Sequence, residues 1–343
     1  MTKACRLYGQ HDLRIEDVAL ADPGPGEVLV RLGAGGICGS DLHYFQDGGF
    51  GPIRVREPII LGHEAAGTIE VVGAGVDLQP GQKVALNPSC PCHDCTYCNK
   101  GLHQHCLNMR FNGSALRMPH EQGFFRERMV LEAARCLPLP DGTDLATAAC
   151  AEPLAVCLHA LTHAPDLAGC RVLVTGAGPI GALCVALARR AGAAEIVATD
   201  LQDLPLEVAQ HMGATDGVNV AQIPDRMVHF EADKGFFDVT FECSAAAPAL
   251  RMAIACTRPQ GTIVQLGVSG DLSIPINLLV GKEIRLCGTH RFHTEFAEAV
   301  ALIAEGTLNV APMITHRLPI GEAEDAMRLA GDRGCAVKVQ LSF

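Results

Sequence analysis

The first part of the chain, to about residue 150, alternates short apolar runs with turn residues. Residues 27–32 and 68–72 are β-like runs, and the Pro- and Gly-rich stretches 22–26 and 79–81 lie beside them. Short runs bounded by Pro and Gly are typical of strands joined by turns. The pattern therefore predicts an irregular β domain.

The pattern changes near residue 170, where strand-like and helix-like stretches alternate. Residues 171–175 form a short apolar run of the kind found in buried parallel strands, and a helix is predicted through residue 191. Further strands are predicted over 196–200, 237–242 and 262–266, then a helix over 295–306 and a last strand over 336–341. Alternating strands and helices predict an α/β fold with a doubly wound parallel sheet.

Length and charge narrow the class of protein. A chain of 343 residues corresponds to about two domains of ~150 residues each. Its net charge of −11 argues against nucleic acid or a polybasic membrane contact as partner. The apolar run at 182–188 is too short for a transmembrane helix. We expect a protein that acts on a small molecule.

Sixteen cysteines are the unusual feature of the composition. Residues 1–6 contain no apolar stretch of a secretory signal. We therefore expect a cytoplasmic protein, in a reducing compartment, whose cysteines are thiols or metal ligands.

Four cysteines are closely spaced in the pattern C-x2-C-x2-C-x7-C: Cys92, Cys95, Cys98 and Cys106. Short loops of this spacing can wrap four thiolates around Zn²⁺, and such a site has no open position, which predicts a structural role. An iron–sulfur cluster is the alternative, because three closely spaced cysteines also suit one. Cys90, just outside the repeat, has no predicted role.

A second, catalytic zinc site is predicted from separate segments. Cys38 lies in GICGSDLH, and His63 and Glu64 lie in G-H-E-x2-G-x5-G-x2-V. A Cys, a His and one carboxylate leave a position on Zn²⁺ for water or substrate. Glu152 lies where the β domain passes into the α/β domain and is a further candidate carboxylate.

Residues 176–181 read GAGPIG, a G-x-G-x-x-G pattern that follows a predicted strand and opens a predicted helix. Glycines allow a tight turn, and the helix N-terminus favours the charge of a pyrophosphate. Asp200 ends the next strand, where a carboxylate accepts hydrogen bonds from the ribose of NAD and repels a 2′-phosphate. NAD is therefore predicted over NADP. The candidate cofactor-binding residues are Gly176, Gly178, Pro179, Ile180, Gly181, Asp200, Leu266, Gly267, Val268, Thr289 and Arg291.

These motifs together resemble a zinc-dependent medium-chain dehydrogenase over the whole length of the chain. The sequences CGSDLHY (38–44), LGHE (61–64) and AEPL (151–154) resemble the polyol (sorbitol) dehydrogenase branch. Several stretches are more similar still to L-idonate 5-dehydrogenases: residues 35–38, 87–89, 109–111, 113–115, 151–156, and 338–341 with 343. Sorbitol dehydrogenases carry an Arg five residues after the strand-end Asp, whereas this chain has Pro205.

The resemblance implies a GroES-like catalytic domain over residues 1–151 and 290–343, with a Rossmann NAD-binding domain over 152–289 between them. It also implies a homodimer or homotetramer. The implied reaction is reversible oxidation of the C5 hydroxyl of L-idonate to 5-keto-D-gluconate with NAD. A sorbitol- or xylitol-type polyol dehydrogenase is the alternative. A catalytically silent zinc- and nucleotide-binding protein is an alternative of another class.

In this reaction zinc lowers the pKa of the alcohol, and a hydride passes to the nicotinamide. Ser40 is predicted to take the hydroxyl proton and His43 to pass it to solvent, while Asp41 is expected to orient His63. Of Glu64 and Glu152, one is expected to be the third zinc ligand and the other to hold the zinc-bound water.

Substrate contacts are expected at positions that resemble those of the polyol branch: Tyr44, Phe111, Glu152 and Arg291. Arg291 suits an aldonate, because a guanidinium can grip a carboxylate with two hydrogen bonds. Arg110, Ser114 and His120 are further candidates for the same task.

Overall fold

The computed structural model describes all 343 residues. Its first part consists mainly of strands, as the alternation of apolar runs and turns predicts. The elements are β1 (Thr2–Gly9), β2 (Asp12–Val18), β3 (Glu27–Gly36), α1 (Gly39–Asp47), β4 (Gly49–Phe50), β5 (Ile53–Arg54), β6 (Ile59–Ile60), β7 (Glu64–Val72), β8 (Lys83–Leu86), β9 (Ser89–Cys90), β10 (Arg110–Phe111), β11 (Arg128–Glu132), β12 (Cys136–Pro138), α2 (Leu145–Ala148) and α3 (Ala151–Leu161).

The second part alternates strands and helices. Its elements are β13 (Arg171–Thr175), α4 (Pro179–Arg190), β14 (Glu195–Asp200), α5 (Asp203–His211), β15 (Asp216–Asn219), α6 (Asp225–Val228), β16 (Phe237–Glu242), α7 (Ala247–Cys256), β17 (Thr257–Gln265), α8 (Ile276–Gly281) and β18 (Arg285–Gly288). The chain ends with α9 (Glu295–Ala304), β19 (Ile314–Pro319), α10 (Ala323–Gly331) and β20 (Lys338–Ser342).

The second part is built on a six-stranded parallel sheet in the order β15-β14-β13-β16-β17-β18. The chain runs outward from β13 to β15 and then returns to place β16 on the other side of β13. This reversal makes a crevice at the carboxyl ends of β13, β14 and β16, where ligands bind in folds of this type. The predicted doubly wound sheet is confirmed.

The last two strands join the sheet of the first part. β20 pairs antiparallel with β3, and β19 pairs with β20, in the order β12-β8-β7-β3-β20-β19, with β11 also paired to β3. The parallel sheet is therefore an insertion between strands of one β-rich sheet. The domain boundaries at 151 and 290 remain predictions.

Helix α3 joins the two parts and packs against α4 on one side and α9 on the other. Nine of its eleven residues are buried, including Glu152 in its first turn. A cleft between the parts is thus lined by a helix that belongs to the core of both. None of the helices combines the length and the apolar character that a bilayer-spanning segment needs.

Candidate metal centre and nucleotide site

The four closely spaced cysteines come together on the surface lobe between β9 and β10. Their sulfur atoms all lie within 4.8 Å of one another: Cys92, Cys95, Cys98 and Cys106. Backbone N–H groups point at the sulfurs. The N–H group of Asp94 is the main cause that lowers the pKa of Cys92 to about 6. The N–H group of Cys98 is the main cause that lowers the pKa of Cys95. A tetrahedral ion with four thiolate ligands fits this cluster, and no position remains for substrate.

A second cluster lies at the edge of the cleft. The ligand atoms of Cys38, His63 and Glu64 all lie within 4.8 Å of one another, and His63 and Glu64 are buried. Cys38 immediately precedes α1, and the other two residues lead into β7. A thiolate, an imidazole and a carboxylate form a donor set that suits Zn²⁺ with an open position.

Asp41 holds the two segments of this cluster together through their backbones. Its Oδ2 accepts a hydrogen bond from the Cys38 N–H at 3.0 Å, and its Oδ1 accepts one from the Gly62 N–H at 3.1 Å. The Nδ1 of His63 lies 3.8 Å from Oδ1, which is beyond hydrogen-bond distance. Burial opposes protonation of His63, but the charges of Asp41 and Cys38 raise its pKa well above the usual value. Asp41 therefore acts on His63 through its charge and through the backbone.

Glu64 has a partner that the sequence patterns do not reveal. Lys338, the first residue of β20, is buried and donates to Oε1 of Glu64 at 2.6 Å and to the carbonyl of Ile37 at 3.1 Å. Gly36 stands opposite Glu64 in the β3–β7 pair, and a β-carbon at Gly36 would overlap the Glu64 carboxylate. The absence of a side chain at Gly36 makes room for the ion pair.

Glu152 lies near this cluster but outside the group of three mutually close ligand atoms. Burial in the first turn of α3 raises its pKa to about 7, against the opposing charge of His63. A carboxyl group whose pKa lies near neutrality can exchange a proton under physiological conditions.

Arg291 closes the cleft from the other part of the chain. It lies in the segment after β18 with a left-handed backbone (φ +54°), and its guanidinium stands 4.6 Å above the ring of Phe111. The same ring lies 5.7 Å from the ring of His63. Burial lowers the pKa of Arg291, against the charges of Glu152 and Tyr44, and no carboxylate oxygen lies within 4.0 Å of its guanidinium. The structure thus brings Arg291, Phe111 and the metal cluster together.

Three other substrate candidates have local partners. Arg110 precedes Phe111 in β10, so its side chain points to the opposite face, where it pairs with Glu121. His120 accepts a hydrogen bond from the Arg56 N–H at 2.9 Å and donates to the Arg117 carbonyl at 2.7 Å. Ser114 is buried, and its hydroxyl accepts from the Leu116 N–H at 3.3 Å. None of these contacts involves the metal cluster.

The predicted proton path begins on α1. Ser40 is half-buried in the first turn, two residues after Cys38. His43, one turn later, is exposed and lies 2.9 Å from Asp47. Tyr44 is buried, and its hydroxyl accepts from the Ala115 N–H at 3.3 Å.

The glycine loop joins β13 to α4 at the carboxyl edge of the parallel sheet. Helix α4 begins at Pro179 after Gly178, which has no capping side chain. The free N–H groups of such a helix start can bind an anion. A β-carbon at Gly181 would overlap the carbonyl oxygen of Gly176, so the turn needs a glycine there. Residues 176–181 therefore have the structure of a phosphate-binding loop.

Asp200 faces this loop from the end of β14. One carboxylate oxygen accepts from the Ala177 N–H at 2.8 Å, and the other accepts from the N–H groups of Leu201 and Gln202 at 2.7 and 3.1 Å. Oδ1 already accepts two hydrogen bonds, whereas Oδ2 accepts one and can accept another. Asp200 thus caps its own turn and still has a lone pair on Oδ2 for a ribose hydroxyl.

The remaining cofactor candidates lie beyond β17 and β18. Leu266 and Gly267 donate their N–H groups to the Glu242 carbonyl, each at 2.8 Å, while Val268 is exposed. Thr289 follows β18, and its hydroxyl is buried without a hydrogen-bond partner, as expected of a group that awaits a ligand.

Glu242, at the end of β16, is a buried residue that the motif analysis missed. Its carboxylate accepts from the Ser244 and Ala245 N–H groups, at 2.9 and 3.2 Å, and from the side chain of Gln265. It joins the carboxyl ends of β16 and β17 beside the glycine loop. The only sequence signal for Glu242 was an acidic residue at the end of a predicted strand. Many strands end with an acidic residue, so this signal did not distinguish Glu242 from the others.

Comparison with known proteins gives matches in both parts of the chain. Residues 24–141 match the alcohol dehydrogenase GroES-like domain, and residues 179–305 match the zinc-binding dehydrogenase domain. The L-idonate 5-dehydrogenase (NAD(P)(+)) of Escherichia coli (strain K12) is 40% identical over 343 residues, which is 100% of this chain and 99% of that protein. Its crystal structure superposes with a TM-score of 0.95 and covers 100% of this chain and 98% of the other.

Sorbitol dehydrogenase of Macaca fascicularis is 33% identical over 98% of this chain and 94% of its own length. Fold and sequence thus define a zinc-binding dehydrogenase with a GroES-like domain and a Rossmann domain. The chain belongs to the zinc-dependent medium-chain dehydrogenases, in the polyol dehydrogenase branch.

We expect Lys338→Met to lower the zinc content of the Cys38–His63–Glu64 site. Loss of the Lys338 ammonium removes the hydrogen bond that holds the Glu64 carboxylate in place, and loss of such an outer partner of a ligand lowers metal affinity about 10- to 100-fold. The zinc content measured by metal analysis should fall from about two ions per chain toward one. A chelator should remove zinc from the Cys38–His63–Glu64 site faster than it does in the wild type.

The matched control for this variant is Lys282→Met. Lys282 is also buried, but its ammonium donates to three backbone carbonyls and not to a carboxylate. It should lower the melting temperature and leave the zinc content unchanged. Full zinc content and an unchanged chelation rate in Lys338→Met would contradict the predicted role of Lys338.

We expect Gly181→Ala to abolish dinucleotide binding, because the new methyl group would overlap the Gly176 carbonyl and open the loop. Titration with NADH, followed by nucleotide fluorescence, measures the loss. Gly142→Ala, at a site where a β-carbon meets no atom within 4 Å, is the control. Equal NADH affinity in the two variants would show that the loop tolerates a side chain.

Proposed function

We propose that this chain is a zinc-dependent dehydrogenase that reversibly oxidises the C5 hydroxyl of L-idonate to 5-keto-D-gluconate, with NAD as hydride acceptor. The observation that carries the substrate class is Arg291. It is a half-buried guanidinium without a carboxylate partner, packed on Phe111 beside the metal cluster. An aldonate supplies the missing carboxylate and a row of hydroxyl groups. The similarity to L-idonate 5-dehydrogenase over the full length supports this choice.

The proposed catalytic ligands are Cys38, His63 and Glu64, and Glu152 is the residue that holds the water or substrate hydroxyl. Glu64, and not Glu152, is the proposed third ligand because its carboxylate oxygen lies within 4.8 Å of the ligand atoms of Cys38 and His63. Bound zinc would lower the pKa of the substrate alcohol. Cys92, Cys95, Cys98 and Cys106 are the proposed structural zinc ligands.

Ser40 and His43 are the proposed proton path. Ser40 lies on the first turn of α1 next to the ligand Cys38, and its hydroxyl would receive the proton that leaves the substrate. His43 is exposed and beside Asp47, so its ring can return that proton to solvent. The charge of Asp41 keeps the two ligand segments together during this transfer.

The proposed dinucleotide lies along the crevice, with its pyrophosphate at 176–181 and its adenosine ribose at Asp200. The acidic strand end supports NAD over NADP, since a 2′-phosphate would face the Asp200 carboxylate. The name of the E. coli relative includes both cofactors, and a 30% identical zinc-binding dehydrogenase of Sinorhizobium meliloti 1021 has been crystallised with NADP. Use of NADP is therefore the outcome that tests the Asp200 assignment.

Oxidation of sorbitol or xylitol is the second candidate function, and the 33% identity to sorbitol dehydrogenase favours it. L-idonate carries a carboxylate at C1, which sorbitol and xylitol lack. A catalytically silent protein is disfavoured because Cys38, His63 and Glu64 all lie together with the geometry of a metal site.

We also infer that two copies of the chain associate through the β18 edge of the parallel sheet. β18 pairs with β17 on one side only, so its other edge has free N–H and C=O groups. Exposed apolar side chains lie in the preceding segment: Val268, Ile276, Leu278 and Val280. Pairing of two β18 strands would cover this surface in a homodimer, from which a homotetramer can form.

A cytoplasmic location is proposed for the protein. All sixteen cysteines are unpaired thiols in the structure, and free thiols of this number are typical of a reducing compartment.

The substrate assignment predicts that L-idonate is oxidised with a much higher kcat/KM than sorbitol or xylitol, and that 5-keto-D-gluconate is reduced in the reverse direction. Assays with NAD(H) and NADP(H) measure both preferences. In Arg291→Gln the KM for L-idonate should rise about 30-fold, the value of a charge-assisted pair, while the KM for sorbitol should change little.

Arg226→Gln, which removes an exposed guanidinium paired with Asp216, is the matched control and should leave both substrates unaffected. Faster turnover of sorbitol than of idonate would refute the idonate assignment. An equal rise of the KM values for L-idonate and sorbitol in Arg291→Gln would show that Arg291 does not bind the carboxylate.

The oligomer assignment predicts that Val280→Asp dissociates the dimer, because it buries a carboxylate in an apolar interface. Light scattering after gel filtration gives the mass. Val228→Asp is the control, since Val228 is 58% exposed and Val280 is 66% exposed, but Val228 lies on α6, away from the β18 edge. A monomeric wild-type chain, or an unchanged mass in Val280→Asp, would rule out this interface.

A further inference from the structure

The turn between α10 and β20 contacts the nucleotide crevice from the β-rich part of the chain. Asp332 organises this turn, because its carboxylate accepts from the Gly334 N–H at 3.0 Å and its carbonyl accepts from Cys335 and Ala336. Arg333, at the tip, is exposed and points at the glycine loop. A β-carbon built on Gly178 would lie 2.7 Å from Nη1 of Arg333.

The same turn reaches the second loop of the crevice. A β-carbon on Gly334 would lie 3.5 Å from the side-chain oxygen of Gln202, which follows Asp200. The turn therefore faces both loops that line the adenosine half of the crevice, the one after β13 and the one after β14. It forms a third wall that belongs to the β-rich part of the chain.

Arg333 brings a positive charge to the glycine loop, which has no charged side chain of its own. Residues 176–181 contain no charged side chain, and the position five residues after Asp200 is Pro205. No carboxylate oxygen lies within 4.0 Å of the Arg333 guanidinium. An arginine without an acidic partner, beside the N-terminus of a twelve-residue helix, has the chemistry to bind a doubly charged pyrophosphate.

We infer that Arg333 binds the pyrophosphate of the dinucleotide and is a determinant of cofactor affinity contributed from outside the parallel sheet. The inference rests on the nucleotide site of the proposed function. The peptide N–H groups of the loop bind one side of the pyrophosphate, and the guanidinium binds the side that faces the cleft. Because Arg333 belongs to the other part of the chain, bound dinucleotide links the two walls of the crevice.

The position of Arg333 also relates cofactor binding to the metal centre. Lys338 lies five residues later, at the start of β20, where it pairs with Glu64. One short segment, residues 332–338, thus contacts the phosphate loop at one end and a proposed zinc ligand at the other.

Binding titrations test the inference without turnover. The variant is Arg333→Gln, and the probes are NADH, NADPH, ADP-ribose and adenosine, with the last two measured by displacement of NADH. We expect the dissociation constants of NADH, NADPH and ADP-ribose to rise about tenfold, the effect of one lost charge-assisted contact. The affinity for adenosine, which has no phosphate, should stay unchanged, and Arg333→Lys should bind with intermediate affinity.

Arg328→Gln is the matched control, because Arg328 is an exposed arginine on α10 that pairs with Glu324. It should bind all four probes as the wild type does. Equal NADH and ADP-ribose affinity in Arg333→Gln and wild type would overturn the inference, as would a loss confined to NADPH, which would assign Arg333 to the 2′-phosphate. Failure of the wild-type chain to bind NADH would instead refute the nucleotide site itself.

Discussion

The buried pair of Lys338 and Glu64 is the interaction on which the geometry of the cleft depends. Both side chains are 2% exposed or less, and their charged atoms lie 2.6 Å apart. A buried charge without a partner costs several kcal/mol, so each residue requires the other. Lys338 also donates to the Ile37 carbonyl, next to Cys38. The last strand of the chain therefore helps to set the positions of two proposed zinc ligands near its beginning.

This pair also explains why the parallel sheet can be inserted without loss of the site. β20 must lie against β3 for Lys338 to reach Glu64, and that pairing brings the segment from α9 to β20 back to the first part of the chain. The cleft then has one wall from each part. Arg291 enters it from the end of the parallel sheet, while Phe111 and His63 enter it from the β-rich part. The two walls belong to different sheets, and the return of the chain to β3 through β20 brings them together.

Short-range patterns accounted for much of the fold and for the candidate ligands. The glycine loop, the strand end at Asp200 and the cysteine repeat depend on neighbouring residues, whose spacing is visible in the chain. The orientation of His63 by Asp41 stays a prediction. The Asp41 carboxylate accepts hydrogen bonds from the backbone of Cys38 and Gly62, and its Oδ1 lies 3.8 Å from Nδ1 of His63. A sequence identifies an acid near a ligand but does not show which of its donors that acid reaches.

The spacing of cysteines, glycines and the His–Glu pair was enough to identify the class of protein, because metal and phosphate binding require specific residue types at short separations. The tertiary structure decided which distant residues complete those sites. Lys338 and Glu64 are 274 residues apart, and Arg333 and Gly178 are 155 residues apart. Their contacts follow from strand pairing and domain insertion. Neither leaves a local pattern, so only the folded chain shows that the segment 332–338 lies against both the glycine loop and the proposed zinc ligand Glu64.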